Sequence, residues 1–255
     1  MAIADPDEAH RLTVRAAGGA DAAGRRAIVF GHWDADGYLA AEQSRVNLAA
    51  FGAAVDKVVV SLDTRNYSFW EQAFSRACFH DYGLVVIVDI AFDFLRPEKS
   101  LDAVLSVVRQ HPTTDFAIID HHPFLHPVRG AANLQMVDVE SVYSCCWGEP
   151  SDELMVLAAL CQGEKRFVKR RITPSVERRA LGFRRAVAAL KDSSGSALMR
   201  LLADREWELF EKLADEPAAL HRNVRGRRVS GTPSSPALVE IMRDQQPGST
   251  SLLGT

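Results

Sequence analysis

Apolar, β-branched runs of strand length alternate with helix-length segments through the first half of the chain, and this alternation constrains the fold most. The run Leu84–Ile90 (LVVIVDI) is apolar except at Asp89, as in a strand covered on both faces. The other predicted strands are Ala27–Phe30, Lys57–Val60 and Phe116–Ile119. The helices predicted between strands are Leu39–Phe51, ended by Gly52, then Ser68–Phe79 and Pro97–Gln110. Since strand–helix–strand crossovers are right-handed, this order predicts an α/β fold with a doubly wound parallel sheet.

The pattern changes after about residue 152, and four parts are predicted along the chain. Residues 1–24 are rich in Ala, Gly and Asp without a period, which is typical of a flexible leader. Residues 25–165 form the predicted α/β domain, and residues 166–221 a mainly helical C-terminal region. The helices predicted beyond the change are Glu153–Cys161, Pro174–Lys191 with Thr173 as cap, and Ala197–Ala214. Residues 222–255 are predicted to be a basic linker and a short or truncated C-terminal segment.

Composition and charge limit the compartment and the partners. No apolar run approaches the ~20 residues that span a bilayer, and the first residues lack the basic start and apolar middle of a secretory signal. The four cysteines show no CxxC spacing, so a reduced, cytoplasmic protein is predicted. The net charge of −3 divides into −10 for residues 1–160 and +7 for residues 161–255. This division suits a cation site that meets an anionic substrate, although solvated helix faces would give the same count.

Possible metal ligands follow three of the predicted strands at the point where each strand ends. His32, Asp34 and Asp36 follow the first strand, Asp89 ends the third, and Asp120, His121 and His122 follow the fourth. Ligands of open α/β sheets bind at the carboxyl ends of the strands, and imidazole with carboxylate suits Mn²⁺, Mg²⁺ or Zn²⁺. Each motif alone also fits a turn or a helix cap. Their joint occurrence at separate strand ends predicts a metal site.

These motifs resemble those of the DHH phosphoesterase superfamily, which includes RecJ-type exonucleases, nanoRNA and pAp phosphatases, cyclic-dinucleotide phosphodiesterases and family II pyrophosphatases. The matching segments are His32–Gly37 (HWDADG), Asp89 in VIVD, and Asp120–Pro123 (DHHP), within residues 26–165. One residue separates His32 from Asp34, as in the RecJ-like form. The resemblance implies a DHH-type α/β domain and two Mn²⁺ ions, with Mg²⁺ as the alternative.

The resemblance also implies roles for individual residues. His32, Asp34 and Asp89 would hold the first ion, and Asp36, Asp89 and His121 the second, with Asp89 bridging. The implied catalytic residues are Asp89, Asp120 and His122. Asp120 would orient a ligand, and His122 would face the substrate phosphate. A hydroxide activated by both ions would attack phosphorus.

Two departures from the family pattern bear on the substrate. Glu164 stands where the family has a Gly-Asp motif, and it is the predicted further metal ligand, with Asp138 as the other carboxylate considered. The glycine-rich motif of the family's C-terminal associated domain does not occur after residue 165. Substrate phosphate is instead predicted to bind the basic residues that follow Glu164: Lys165, Arg166, Lys169, Arg170 and Arg171. The next cations considered are Arg178, Arg179, Arg184 and Arg185, for which an ordinary solvated helix face is the competing interpretation.

The sequence therefore predicts a metal-dependent phosphoesterase that hydrolyses nucleic acid, short oligonucleotides or nucleotides. The alternative is a catalytically weak or inactive DHH-like subunit that binds nucleic acid. The expected partners are this substrate and either a second copy of the chain or another protein that supplies a substrate-binding domain. No membrane partner is expected.

Overall fold

A five-stranded parallel sheet forms the centre of the part of the molecule that the structure describes. The structure is a computed structural model that describes residues 19–60, 79–90, 97–122, 131–139, 153–190 and 195–216. Its strands are β1 (Arg26–Gly31), β2 (Ala54–Val60), β3 (Leu84–Val88), β4 (Asp115–Asp120) and β5 (Leu134–Asp138). They lie in the order β2-β1-β3-β4-β5, and every neighbouring pair is parallel. Since β2 and β3 lie on opposite sides of β1, the chain changes direction across the sheet between β1 and β3.

Helices cover both faces of this sheet. The helices among the described residues are α1 (Ala35–Ala50), α2 (Pro97–Gln110), α3 (Glu153–Gln162), α4 (Lys165–Val168), α5 (Pro174–Leu190), α6 (Gly195–Ala203) and α7 (Trp207–Asp215). Short 3-10 turns occur at Gly19–Ala22, Phe79–Asp81 and Lys169–Arg171. Within the described ranges, no helix combines the length and apolarity needed to cross a bilayer. The predicted α/β class with a doubly wound parallel sheet and a following helical region is confirmed.

The alternating side chains of the buried strands divide the core into two layers. Val86 and Val88 of β3 face a layer that contains α1, α3, α5, α6 and α7, whereas Val85 and Ile87 face a second layer with α2 and Phe79. All five β3 residues are buried. A strand that is apolar on both faces therefore lies where two covered faces require it.

The helical region packs on the first layer through a close contact between α5 and α7. A Cβ added at Gly182 of α5 would overlap the carbonyl oxygen of Phe210 in α7. The rings of Phe183 and Phe210 meet edge to face beside this point, with 5.1 Å between centroids. The glycine thus lets two helix backbones approach where a larger residue would separate them.

Most predicted elements match the structure, and the differences have local causes. The α2 bounds agree with the prediction, and Thr173 caps α5 by accepting a hydrogen bond from Val176 N at 3.3 Å. The prediction of one helix over Ala197–Ala214 is wrong. Two helices, α6 and α7, occupy this region, and a turn separates them where Arg205 has a φ of 57°. The short strand β5 and helix α4 were not predicted. The helix predicted over Ser68–Phe79 lies outside the described residues except for Phe79, as do the linker and segment predicted over 222–255.

Candidate metal centre

The ends of β1, β3 and β4 lie side by side at one edge of the sheet. Gly31 pairs with Val88, and Val88 with Ile119, so the next residue of each strand is at the same level. The residues at that level are His32, Asp89 and Asp120. This is also where the chain changes direction across the sheet, which is the usual ligand-binding crevice of doubly wound folds.

The turn from β1 into α1 places His32 against Asp34. Asp34 is the N-cap of α1, and its Oδ1 accepts a hydrogen bond from Gly37 N at 3.2 Å. Its Oδ2 lies 2.7 Å from His32 Nδ1. A Cβ at Gly37 would come within 2.6 Å of His32 Cβ and His32 O, so glycine permits this tight turn. Asp34 therefore both caps the helix and presents its second oxygen to the site.

Charge and burial act in opposite directions on this pair. Burial raises the pKa of Asp34, but the hydrogen bond and charge of His32 outweigh it and lower the pKa below its usual value. Burial likewise lowers the pKa of His32, and Asp34 outweighs it and raises the pKa. The pair is thus stabilised as an imidazolium beside a carboxylate when no cation replaces the proton.

Asp89 is a buried carboxylate at the centre, and its oxygens have no hydrogen-bond donor among the described residues. It is 1% exposed, and among the described residues neither of its oxygens accepts a hydrogen bond. Its backbone has a φ of 55°, a conformation that aspartate tolerates better than most residues, and its N–H donates to Ile119 O at 2.9 Å. Burial, followed by the charges of Asp34 and Asp120, raises its pKa well above the usual value.

Asp120, in contrast, is fully buried and has hydrogen bonds to both oxygens. Its Oδ2 accepts from Ile90 N at 3.1 Å, and its Oδ1 accepts from His122 N at 2.9 Å and lies 2.7 Å from His122 Nδ1. Burial lowers the pKa of His122, but the hydrogen bond and charge of Asp120, with the charge of Asp89, raise it to about 9. Asp120 therefore fixes the chain after β3 and orients the His122 ring.

His121 lies between Asp89 and Glu164. Its Nε2 is 3.1 Å from Asp89 Oδ1, without the alignment of a hydrogen bond, and its Nδ1 is 3.8 Å from Glu164 Oε1. Burial and the neighbouring His122 lower the pKa of His121, so its ring is neutral at pH 7. A neutral imidazole with one nitrogen facing a buried carboxylate is the form that binds a metal ion.

Asp36 lies in the first turn of α1 and is buried. Burial, then the charges of Asp89 and Asp34, raises its pKa well above the usual value. These charges place Asp36 within the electrostatic reach of the centre. Asp138, at the end of β5, pairs in register with Asp120, and burial followed by the charge of Asp120 raises its pKa.

Comparison with known proteins identifies the fold. No protein-family model matches the chain, and no curated protein sequence matches it. A crystal structure of exonuclease RecJ bound to manganese is similar, with a TM-score of 0.54 and 17% identity over 88% of this chain and 67% of that chain. The chain has a RecJ-like fold. A crystal structure of RecJ in complex with Mn²⁺ from Thermus thermophilus has a TM-score of 0.40 and 17% identity, over 95% of this chain and 38% of that chain.

Two groups of ligand atoms in this RecJ-like fold have the chemistry of a divalent-metal site. His32, Asp34 and Asp89 each offer an atom within 4.8 Å of the others. Asp89, Asp120, His121 and His122 form the second group on the same criterion, so Asp89 belongs to both. The donors are carboxylate oxygen and imidazole nitrogen, and the two Asp89 oxygens have no hydrogen-bond donor among the described residues. The residues present therefore fit a divalent cation.

The predicted site residues separate into those that meet and those that flank the centre. His32, Asp34 and Asp89, expected to hold the first ion, form one of the two groups. Of the residues expected to hold the second ion, Asp89 and His121 lie in the other group. Asp36 and Glu164 are in neither group, although Glu164 reaches the outer nitrogen of His121. The basic residues predicted to bind phosphate lie in α4 and the following 3-10 turn, directly after Glu164. His122, also predicted to face the phosphate, belongs to the second group.

Proposed function

We propose that the protein is a divalent-metal-dependent phosphoesterase whose substrate is nucleic acid, an oligonucleotide or a nucleotide. The Asp89 carboxylate carries the proposal. It is buried where the two ligand groups meet, and neither oxygen has a hydrogen-bond donor among the described residues. Burying an ionised carboxylate without a partner lowers the stability of the fold, and a bound cation would balance its charge. The DHH-type arrangement and the RecJ-like fold support the same activity.

His32, Asp34 and Asp89 would hold one ion, and Asp89 and His121 a second, with Asp36 beside them. Mn²⁺ is the proposed ion, and Mg²⁺ the alternative. Bound divalent cations would neutralise phosphate oxygens and lower the pKa of a water molecule for attack on phosphorus. Glu164, opposite Asp89 on the His121 ring, would fix the orientation and tautomer of that ring, as carboxylates beside metal-binding histidines do.

His122 is proposed to bind the substrate phosphate. With a pKa of about 9 it is cationic at pH 7, and it is the more exposed of the two adjacent histidines. Its Nδ1 faces Asp120, which leaves the Nε2–H as the donor for a phosphate oxygen. Asp120 holds this ring in place and acts as a positioning residue.

One observation favours the alternative of a nucleic-acid-binding subunit without turnover. Glu164 replaces the aspartate expected at its position, and its carboxylate is in neither group of ligand atoms. A centre with one carboxylate fewer would bind its second ion weakly. Such a subunit would bind nucleic acid and metal but release no product.

Hydrolysis with a matched pair of variants tests the proposal. The protein is incubated with Mn²⁺ and end-labelled oligonucleotides from a dinucleotide upward, beside pAp and a cyclic dinucleotide. Asp89→Asn removes the shared ligand, and Asp102→Asn is the control, because Asp102 is an exposed aspartate of α2. We expect cleavage by the wild type and by Asp102→Asn, and none with a chelator or with Asp89→Asn. Absence of cleavage by the metal-loaded wild type on every substrate would overturn the proposal in favour of the binding subunit.

A further inference from the structure

A short basic segment, residues 165–171, begins directly after Glu164. It consists of α4 and the 3-10 turn that follows, and its five cations are all exposed: Lys165, Arg166, Lys169, Arg170 and Arg171. Glu164, the residue before it, has its carboxylate 3.8 Å from His121 Nδ1. The basic segment therefore starts next to a residue whose side chain reaches the candidate site.

Of the four arginines of α5, three contact other elements of the helical region, and the fourth, Arg184, is exposed. Arg178 pairs with Asp215 and Glu211, and Arg179 bonds Glu153 and Glu211 at 2.5 and 2.6 Å. Arg185 donates to the last carbonyls of the α7 end, those of Leu213, Ala214 and Glu216, at 2.7–2.8 Å. These contacts give Arg178, Arg179 and Arg185 partners on other elements of the helical region, and those of Arg179 and Arg185 are partly buried.

Two cations of the basic segment have no such role. Lys169 and Arg170 are exposed, and neither has an ion-pair partner among the described residues. Lys165 pairs with Glu177 at 3.0 Å, but both side chains are exposed, so water and salt screen the pair. Lys169 and Arg170 thus present two charges without an ion-pair partner, five and six residues after Glu164 along the chain.

The one aromatic side chain of the segment is occupied. Phe167 is partly buried against the core, and the Arg166 guanidinium lies over its ring at 4.5 Å from the centroid. Stacking of a base would require a free ring face. Contacts from the segment would therefore go to phosphates, which carry no sequence information.

We infer that the basic segment binds the phosphodiester backbone of an oligonucleotide whose scissile phosphate is at the metal centre. The inference rests on the proposed function for the position of that phosphate. Four α-helical and three 3-10 residues extend over about 12 Å, which exceeds a mononucleotide phosphate and matches a strand that continues from the site. The substrate class is thus an oligonucleotide, bound without base preference, and Lys169 and Arg170 are its principal backbone contacts.

Salt-dependent binding tests the inference without turnover. A fluorescent single-stranded oligonucleotide, as DNA and as RNA, is titrated with protein in EDTA, and the dissociation constant is measured by anisotropy at several salt concentrations. Lys169→Gln/Arg170→Gln is compared with Lys57→Gln/Arg109→Gln, which removes two exposed cations from β2 and α2. Both variants lose the same net charge. Since each single-strand phosphate contact contributes about 0.7 to the slope of log K against log salt, we expect the first variant to lose about 1.4 and the control to lose none.

The outcomes separate this inference from the proposed function. Equal slopes for the two double variants would overturn the backbone site, even if the wild type cleaves oligonucleotides in Mn²⁺. A lower slope only for Lys169→Gln/Arg170→Gln would support the site, even if no substrate is cleaved. If the wild type is active, that variant should raise KM several-fold for longer oligonucleotides and leave the dinucleotide KM unchanged; an equal effect on both lengths would contradict an extended strand.

Discussion

Asp89 has a buried carboxylate and a backbone with a positive φ. Neither carboxylate oxygen has a hydrogen-bond donor among the described residues. Asn has nearly the same shape, tolerates this backbone conformation and carries no charge. In EDTA at pH 8, we therefore expect Asp89→Asn to raise the free energy of unfolding by about 1 kcal/mol or more. Denaturant titration measures this change, with Asp102→Asn as the control that leaves stability unaltered. A less stable Asp89→Asn protein would show that the carboxylate contributes to the fold itself.

Asp89, together with Asp36 and His122, makes stability without metal depend on pH. Burial first, then the charges of neighbouring aspartates, raises the folded-state pKa values of Asp89 and Asp36 well above the unfolded value of about 3.9. Between the unfolded and the folded pKa values, the folded protein therefore binds more protons than the unfolded chain does. Its free energy of unfolding falls as pH rises through that range. His122 acts in the same direction between about pH 6.5 and pH 9. Its raised pKa stabilises the folded protein at low pH, and this stabilisation is lost as the ring loses its proton. Unfolding in EDTA should thus show stability falling from pH 5 to pH 9, with a shallower fall for Asp89→Asn.

Glu164 is predicted to act on the centre through His121. Glu164→Gln keeps the shape and an acceptor oxygen but removes the charge that lies 3.8 Å from His121 Nδ1. Changes in the partner of a metal-binding histidine typically cost 10–100-fold in metal affinity or activity. We expect Mn²⁺ affinity to fall by about tenfold with unchanged stability in EDTA. Glu164→Asp should preserve or raise activity, and complete loss there would show that the longer side chain has a specific role.

At the residue scale, sequence predicted the meeting of His32, Asp34 and Asp89, because parallel strands end at one edge of a sheet. It did not predict which oxygens are free. Asp89 and Asp120 are both aspartates at strand ends, and only the bonds from Ile90 N and His122 separate the oriented carboxylate from the one without donors. The place of Glu164 beside His121 depends on the turn at Gly163, with a φ of 89°, and on the packing of α3.

Contacts between whole helices decide the effect of changes at Gly182. Ala in a helix is ordinarily about 1 kcal/mol better than Gly, but a Cβ here would overlap the backbone of Phe210. Overpacking costs typically 1–3 kcal/mol, and the upper part of that range applies here because the overlap is with backbone atoms. After the gain in helix propensity is subtracted, Gly182→Ala should give a net loss of about 1–2 kcal/mol as α5 and α7 separate. Denaturant titration gives the sign, and Leu181→Ala, at a neighbouring residue that is 42% exposed, should change stability little. Stabilisation by Gly182→Ala would contradict the close contact.

Element prediction succeeded where periodicity and terminal residues agreed. Pro97 and the length of the apolar pattern defined α2, and the continuous apolar run defined β3. The break between α6 and α7 has no Gly or Pro, and Arg205 takes the positive φ instead, so periodicity runs through it. Strand β5 is five residues long at the sheet edge, where its half-exposed pattern resembles a loop.

The charge division of the whole chain becomes interpretable in the folded molecule. The acidic half contains the carboxylates of the metal centre, and the basic half contains both the cations of α5 that join helices and the exposed basic segment beside Glu164. Net charge alone could not distinguish these two uses. The ion pairs of α5 do so in part, because Arg178 and Arg179 have acidic partners, whereas Lys169 and Arg170 are exposed and have no ion-pair partner among the described residues.

Metal binding should couple the centre to the stability of the entire fold. The carboxyl groups of Asp36 and Asp89 and the ring of His32 have raised pKa values, so cation binding displaces protons from them. We therefore expect Mn²⁺ to raise Tm, by an amount equivalent to about 2.7 kcal/mol at 100-fold excess over Kd, and its affinity to increase with pH. Calorimetric titration in buffers of different ionisation enthalpy measures the protons released, and thermal unfolding measures the Tm. Asp102→Asn should respond as the wild type does, whereas Asp89→Asn should lose the Mn²⁺-induced rise in Tm. An affinity that does not change with pH would mean that these carboxylates are not the ligands.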